Sequence, residues 1–195
     1  MTVKTIPVAD APFSPAEDTL LTGEELHAMG DIGRSELIKG RLISMSPTGH
    51  PHGYIEFIIG RILGNFVHQH KLGRILGGEV GIYIERYPDT VRGADVAFIS
   101  NERMAQVKSR SYLDVAPELI VEVMSPDDRW SEIMEKLAEY FAIGVKVVWV
   151  ADPKLRQIFA YRSLTNVEHF TANEELIADD VLPDFKVSVA DLFGE

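Results

Sequence analysis

A glutamate in the middle of an apolar strand constrains this chain more than any other feature. The run Leu119-Ile120-Val121-Glu122-Val123-Met124 reads as a buried strand, and an ionised carboxylate is costly to bury unless it is paired, hydrogen-bonded or bound to a cation. Strand alternation sets Leu119, Val121 and Val123 on one face and Ile120, Glu122 and Met124 on the other. A second such acid, Asp95, lies in Ala94-Asp95-Val96-Ala97-Phe98-Ile99, on the face opposite Val96 and Phe98. If the two strands pair with their acidic faces aligned, two oxygen ligands converge, which suggests a metal site.

Composition narrows the metal and its setting. The chain has no cysteine, which excludes disulfides and thiolate sites and leaves carboxylate, imidazole, carbonyl and water as ligands. That chemistry favours Mg²⁺ or Mn²⁺ over a structural Zn²⁺. With 195 residues, 46% of them apolar, and no repeated period, one domain over residues 20–195 is expected. Residues 1–19, with three prolines and little periodicity, read as a loosely ordered arm. No apolar run approaches the ~20 residues of a membrane helix and no basic leader precedes one, so a soluble cytoplasmic protein without membrane contact is expected. The formal net charge of −11 argues against tight non-specific nucleic-acid binding, which depends on Lys and Arg neutralising phosphates. A nucleic-acid role would need a local patch, such as the Arg103 to Arg110 run with Lys108, whose ordinary reading is a solvated loop.

Along the chain, Thr22 and Glu25 form a capping box for a short helix ending near Gly30. Residues Leu37 to Met45 read as a strand with a turn possible at Lys39-Gly40. Ile55, Ile58, Ile59, Ile62, Leu63 and Phe66 recur at helical spacing, predicting a long amphipathic helix from Tyr54 to His70. The glycine-containing stretch from Arg74 to Tyr87 reads as a strand that bulges or bends. Asp127-Asp128 is placed to cap a helix from about Arg129 to Ile143, closed by Gly144. Lys146 to Ala151 and Gln157 to Arg162 read as a strand hairpin, and Phe185 to Phe193 as a short strand or helix. The order implies a mixed α/β sheet with two principal helices.

Hydrolysing a phosphodiester with a divalent cation needs oxygen ligands and a positive group near the attacking water or the developing charge. The simplest place for a lysine is two residues after Glu122, but Met124 stands there. The following helix offers Lys136, at roughly 100° from the centre of the stripe Trp130, Ile133, Met134, Leu137, Tyr140 and Phe141. Its long stem could reach Glu122, or it could pair with Glu132 one turn away on an exposed face.

These residues resemble the restriction-endonuclease-like PD-(D/E)xK superfamily and, within it, the Uma family, whose members are taken to be nucleases. The resemblance rests on Ser35-Glu36-Leu37-Ile38-Lys39-Gly40-Arg41-Leu42-Ile43, on Gly93-Ala94-Asp95-Val96-Ala97-Phe98-Ile99, and on Pro117-Glu118-Leu119-Ile120-Val121-Glu122-Val123-Met124-Ser125-Pro126. Lys136, Tyr140, Gly144-Val145, Trp149 and Asp152-Pro153 follow in the family's order. It implies a restriction endonuclease-like mixed β-sheet flanked by helices, with Asp95, Glu122 and the main-chain carbonyl of Val123 as ligands to Mg²⁺ or Mn²⁺. It further implies that the lysine has moved from strand to helix, which gives Lys136 its role.

Glu36 matches the family's early acid, which helps position metal-bound water, though a salt bridge or strand-end cap accounts for it equally. His52 aligns with a histidine that could approach the phosphate or cap the long helix. Glu79, on the glycine-rich strand, is a weaker candidate. His68 and His70 lie about 200° apart around a helix and cannot form a one-face pair. Ala94 and Lys39 depart from the family's usual Pro and Asp without touching the site. The expected activity is metal-dependent hydrolysis of nucleic acid, DNA foremost, by a homodimer, since paired double-strand cuts need a second copy. The alternative is a catalytically silent nuclease-like module that binds nucleic acid or protein.

Overall fold

The computed structural model describes residues 20–126 and 128–194; the expected arm over residues 1–19 lies outside them. The elements in chain order are α1 (Gly23–Ala28), β1 (Ser35–Ile38), β2 (Arg41–Ser44), α2 (His50–His70), β3 (Gly73–Glu85), β4 (Thr90–Ser100), α3 (Asn101–Met104), β5 (Leu119–Val123), α4 (Trp130–Ala142), β6 (Val147–Asp152), β7 (Gln157–Ser163), β8 (Asn166–Thr171), β9 (Glu175–Ile177), β10 (Lys186–Ser188) and α5 (Val189–Leu192). Among the described residues eight strands form one sheet in the order β2-β1-β4-β5-β6-β7-β8, with β3 on β4, while β9 and β10 pair separately. β5 and β6 run parallel, and α4 is the crossover between them. No helix among the described residues is long and apolar enough to cross a membrane.

Strand alternation produces the layers. Leu119, Val121 and Val123 pack with Val96, Phe98 and Trp149 under Ile55, Ile59, Leu63 and Val67 of α2. Ile120 faces the other way, packing with Ala97, Ile99, Val148 and Val150 beneath Ile133, Leu137 and Tyr140 of α4. Each fully buried aliphatic side chain in these layers contributes about 1.5–3 kcal/mol. The result is a mixed sheet with one long helix on each face.

Three local readings are corrected, and one strand is added. The strand read from Leu37 to Met45 is a hairpin, because Lys39 and Gly40 both take positive φ (49° and 75°), the backbone of a two-residue turn matching strand twist. Helix α2 starts at His50 rather than Tyr54, since Pro51 in the first turn fits a helix start. The N-cap of α4 is Arg129 without a side-chain cap bond; Asp128 instead accepts from Ser125 N–H at 2.8 Å. Strand β8, mostly exposed along Asn166 to Glu168, lacks the apolar alternation that would reveal it.

β4 divides the sheet. Along one edge it pairs with β3, with register shifts between Gly77 and Val80 and between Tyr83 and Glu85. On the other, β1 meets it at Val91 and β5 at Val96 to Phe98. The two partners diverge between these points, leaving Gly93 and Asp95 at the mouth of a fork.

Candidate active site

The fork opens into a cavity of about 600 Å³ lined by Arg34, Glu36, His52, Glu79, Arg92, Asp95, Glu122, Val123 and Lys136, with Met45, Pro47, Gly49, Met124 and Pro126 among its remaining walls. β5 reaches it at its C-terminal end. The register Val96↔Val121, continued by one step, sets Asp95 opposite Glu122. Asp95 Oδ2 accepts from Val123 N–H at 2.7 Å and lies 3.3 Å from His52 Nε2. The expected ligands Asp95, Glu122 and Val123 therefore share one cavity.

Lys136 comes from α4, where its stem runs beside the apolar stripe. Its Nζ lies 3.2 Å from Glu122 Oε2 and 3.1 Å from Glu36 Oε1, and donates to Gly93 O at 3.3 Å. Tyr140, one turn on, donates to Glu122 Oε1 at 2.7 Å. Both oxygens of Glu122 thus have donors on one helix. Glu36 is only 4% exposed; it pairs with Arg92 Nη1 at 2.8 Å and accepts from Gly93 N–H at 3.1 Å. Its salt-bridge reading and its place beside the metal-site acids are one arrangement. Arg92 also grips Glu139 through Nε and Nη2 at 2.6 and 3.1 Å, tying α4 to β4.

His52 stands in the first turn of α2 and does not cap it; the N-cap is Gly49. Glu56, one turn on, accepts from Gly78 N–H at 3.1 Å. Glu79 occupies the bulge at φ 61°, hydrogen-bonds Asp95 and pairs with Arg34. Gly93 permits this approach, since a Cβ there would sit 2.8 Å from Glu79 Oε2.

The electrostatics report an excess of carboxylates. Burial, then the negative charge of Asp95, push Glu79 up to about 8 against the pull of Arg34. Burial likewise lifts Glu122 to about 7; the Lys136 cation opposes the shift and the Asp95 charge adds to it. Asp95 goes the other way: burial would raise it, but the His52 hydrogen bond and charge, Glu79 and the Val123 N–H together hold it below the usual range. Burial also works against Glu36, which the Lys136 charge and the Arg92 contact keep low. For His52, burial depresses the imidazole, yet the hydrogen bond to Asp95 and the charges of Asp95, Glu56 and Glu79 raise it overall.

Arg34, Glu56, Arg92 and Tyr140 were not singled out by sequence reasoning as site residues. His52 and Glu56 carried a signal, being four apart on a helix, but it is visible only once the helix is known to begin at His50. Arg92 carried none, because Glu36 and Glu139 come from distant segments. Arg103 of the basic run is engaged elsewhere, donating to the carbonyls of Ala116, Pro117 and Gly144.

A mixed sheet that forks around a buried aspartate, with a lysine delivered by the crossover helix, defines a nuclease-like fold. The structure is similar to the crystal structure of "a putative nuclease belonging to DUF820" from Anabaena variabilis ATCC 29413, with a TM-score of 0.73 over 89% of this chain and 97% of that one at 19% identity. The chain belongs to the Uma2 family, described as "Putative restriction endonuclease", whose sequence model matches residues 23–190. No curated protein matches the sequence.

Proposed function

We propose that this protein is a divalent-metal-dependent endonuclease that hydrolyses phosphodiester bonds, with DNA as the expected substrate. The observation that carries this reading is Lys136, whose ammonium enters the fork from a helix and meets both Glu36 and Glu122 beside Asp95. The donor chemistry fits a hard cation: Asp95, Glu122 and the Val123 carbonyl offer oxygen alone, and burial, with the Asp95 charge adding to it, keeps Glu122 at about 7 despite Lys136. These residues would hold Mg²⁺ or Mn²⁺. The ion, when bound, supplies a lowered water pKa and Lewis acidity toward the phosphate.

The chain's own residues do the rest. Lys136, fixed between two carboxylates, offers its positive charge to the negative charge developing on the phosphate. Arg92 and Tyr140 hold Glu36 and Glu122 in place. A homodimer in the cytoplasm is the expected working form, since one small acidic chain makes one cut. Purified protein should cleave DNA with Mg²⁺ or Mn²⁺, and the double variant Glu122→Gln with Asp95→Asn should not. Undiminished cleavage by that variant refutes the assignment; metal binding without hydrolysis across DNA and RNA substrates would favour a silent binding module instead.

A further inference from the structure

Besides Glu122 on the neighbouring strand, Asp95 has His52 and Glu56 of α2 close by. His52 is 6% exposed, and among the described residues its Nδ1 is buried without a hydrogen-bond partner. That nitrogen lies 3.9 Å from Glu56 Oε2, while Nε2 of the same ring lies 3.3 Å from Asp95 Oδ2. One ligand atom from each of His52, Glu56 and Asp95 falls within 4.8 Å of the other two, close enough for small side-chain movements to bring all three to ~2.1 Å from a common centre. Gly78 N–H holds Glu56 Oε1 and so leaves Oε2 facing the ring. Hydrogen bonding of this kind fixes the orientation of metal ligands.

We propose that His52, Glu56 and Asp95 hold a second divalent cation, with Asp95 shared between this position and the Asp95–Glu122 position. The imidazole determines which cation it takes. Mg²⁺ prefers oxygen and water, whereas Mn²⁺ and later first-row metals accept a ring nitrogen. Mg²⁺ therefore occupies the Asp95–Glu122 position and leaves the His52–Glu56 position to Mn²⁺. Two cations also suit the acid content of the site, where the carboxyl groups of Glu36, Glu79, Asp95 and Glu122, with Glu56 beside them, outnumber the cations of Arg34, Arg92 and Lys136. A catalytic use for the second ion rests on the nuclease reading above, but its binding does not.

The test is a Mn²⁺ titration of the full chain, reading free Mn²⁺ by electron paramagnetic resonance and heat by calorimetry. Wild type should bind two Mn²⁺, Glu56→Gln one and Glu122→Gln one, with Mg²⁺ displacing a single Mn²⁺ readily from wild type. Glu56→Gln keeps a carbonyl for Gly78 N–H, so the fold should survive, which circular dichroism verifies; His52→Gln gives an independent variant. A single Mn²⁺ in wild type, or two retained in both Glu56→Gln and His52→Gln, overturns the proposal. Absence of cleavage would count against the nuclease reading and leave these stoichiometries unchanged.

Discussion

The ammonium of Lys136 separates two acids that would otherwise confront each other across the fork. Removing it with Lys136→Met leaves Glu36 and Glu122 without their common partner, and losing one member of a buried ion pair costs about 3–5 kcal/mol. Because Lys136 retains partial exposure, the lower end is expected, measurable by urea unfolding near neutral pH. Cleavage should fall by ~10²–10³-fold, the effect of losing one group that stabilises developing charge. The titrations add a second residue-scale prediction. Glu79 and Glu122, raised to about 8 and about 7, hold protons in the folded state that the unfolded chain releases near 4.5. His52, raised above 6.5, adds stability present below 6.5 and lost as pH rises through its folded value. All three therefore make the metal-free protein less stable as pH climbs from about 5 to about 8. Asp95 and Glu36, both lowered, contribute above 3.8 and 4.5 respectively and lose that contribution only in stronger acid. Urea midpoints across this range check the sign, and Mn²⁺ should restore most at high pH, where it no longer competes with protons.

At the level of elements, the site depends on two places where regular structure gives way. The β3 bulge turns Gly78 N–H toward Glu56 and Glu79 toward Asp95. Opposite it, Gly93 leaves the space that Glu79 Oε2 fills. Gly93→Ala should cost less than about 1 kcal/mol in stability, because what must shift is the flexible end of a glutamate and alanine suits a strand better than glycine does. It should nevertheless weaken Mn²⁺ binding by displacing Glu79 from Asp95, which the same titration measures. Leu137→Ala makes the contrast: Leu137 is fully buried on the sheet-facing side of α4, so the cavity left behind should cost about 2–5 kcal/mol, read as a lower unfolding midpoint. Legibility follows the same division. Helix α4 could be read from periodicity because it packs one apolar face, and strand β5 from an apolar run buried on both faces. The periodicity of helix α2 shows only from Tyr54, because its first turn holds His50, Pro51, His52 and Gly53 and only its later turns repeat. That shortfall hid the pairing of His52 with Glu56.

For the whole molecule, charge is the governing quantity. A chain of net charge −11 repels a polyanion, and its cavity carries more carboxylates than cations. DNA binding should therefore require divalent cation: fluorescence anisotropy of a labelled duplex should show binding with Mn²⁺ or Ca²⁺ and its loss with chelator. Retention of binding under chelator would mean that a basic surface does the work. By itself, the sequence determined the two acid-bearing strands, the crossover helix with Lys136 on its flank, and the mixed sheet around them. These follow from periodicities of two and 3.6, which any stretch of a few residues displays. Which cation neutralises which acid was decided only by the tertiary structure. Glu36, Arg92, Glu122 and Lys136 come from β1, β4, β5 and α4, and their contacts depend on strand register and helix docking over distances along the chain that no local pattern spans. Lys136 shows this most plainly, for its helix phase alone suited Glu132 as well as the fork, and the packing of α4 against β4 and β5 brought its ammonium to Glu36 and Glu122.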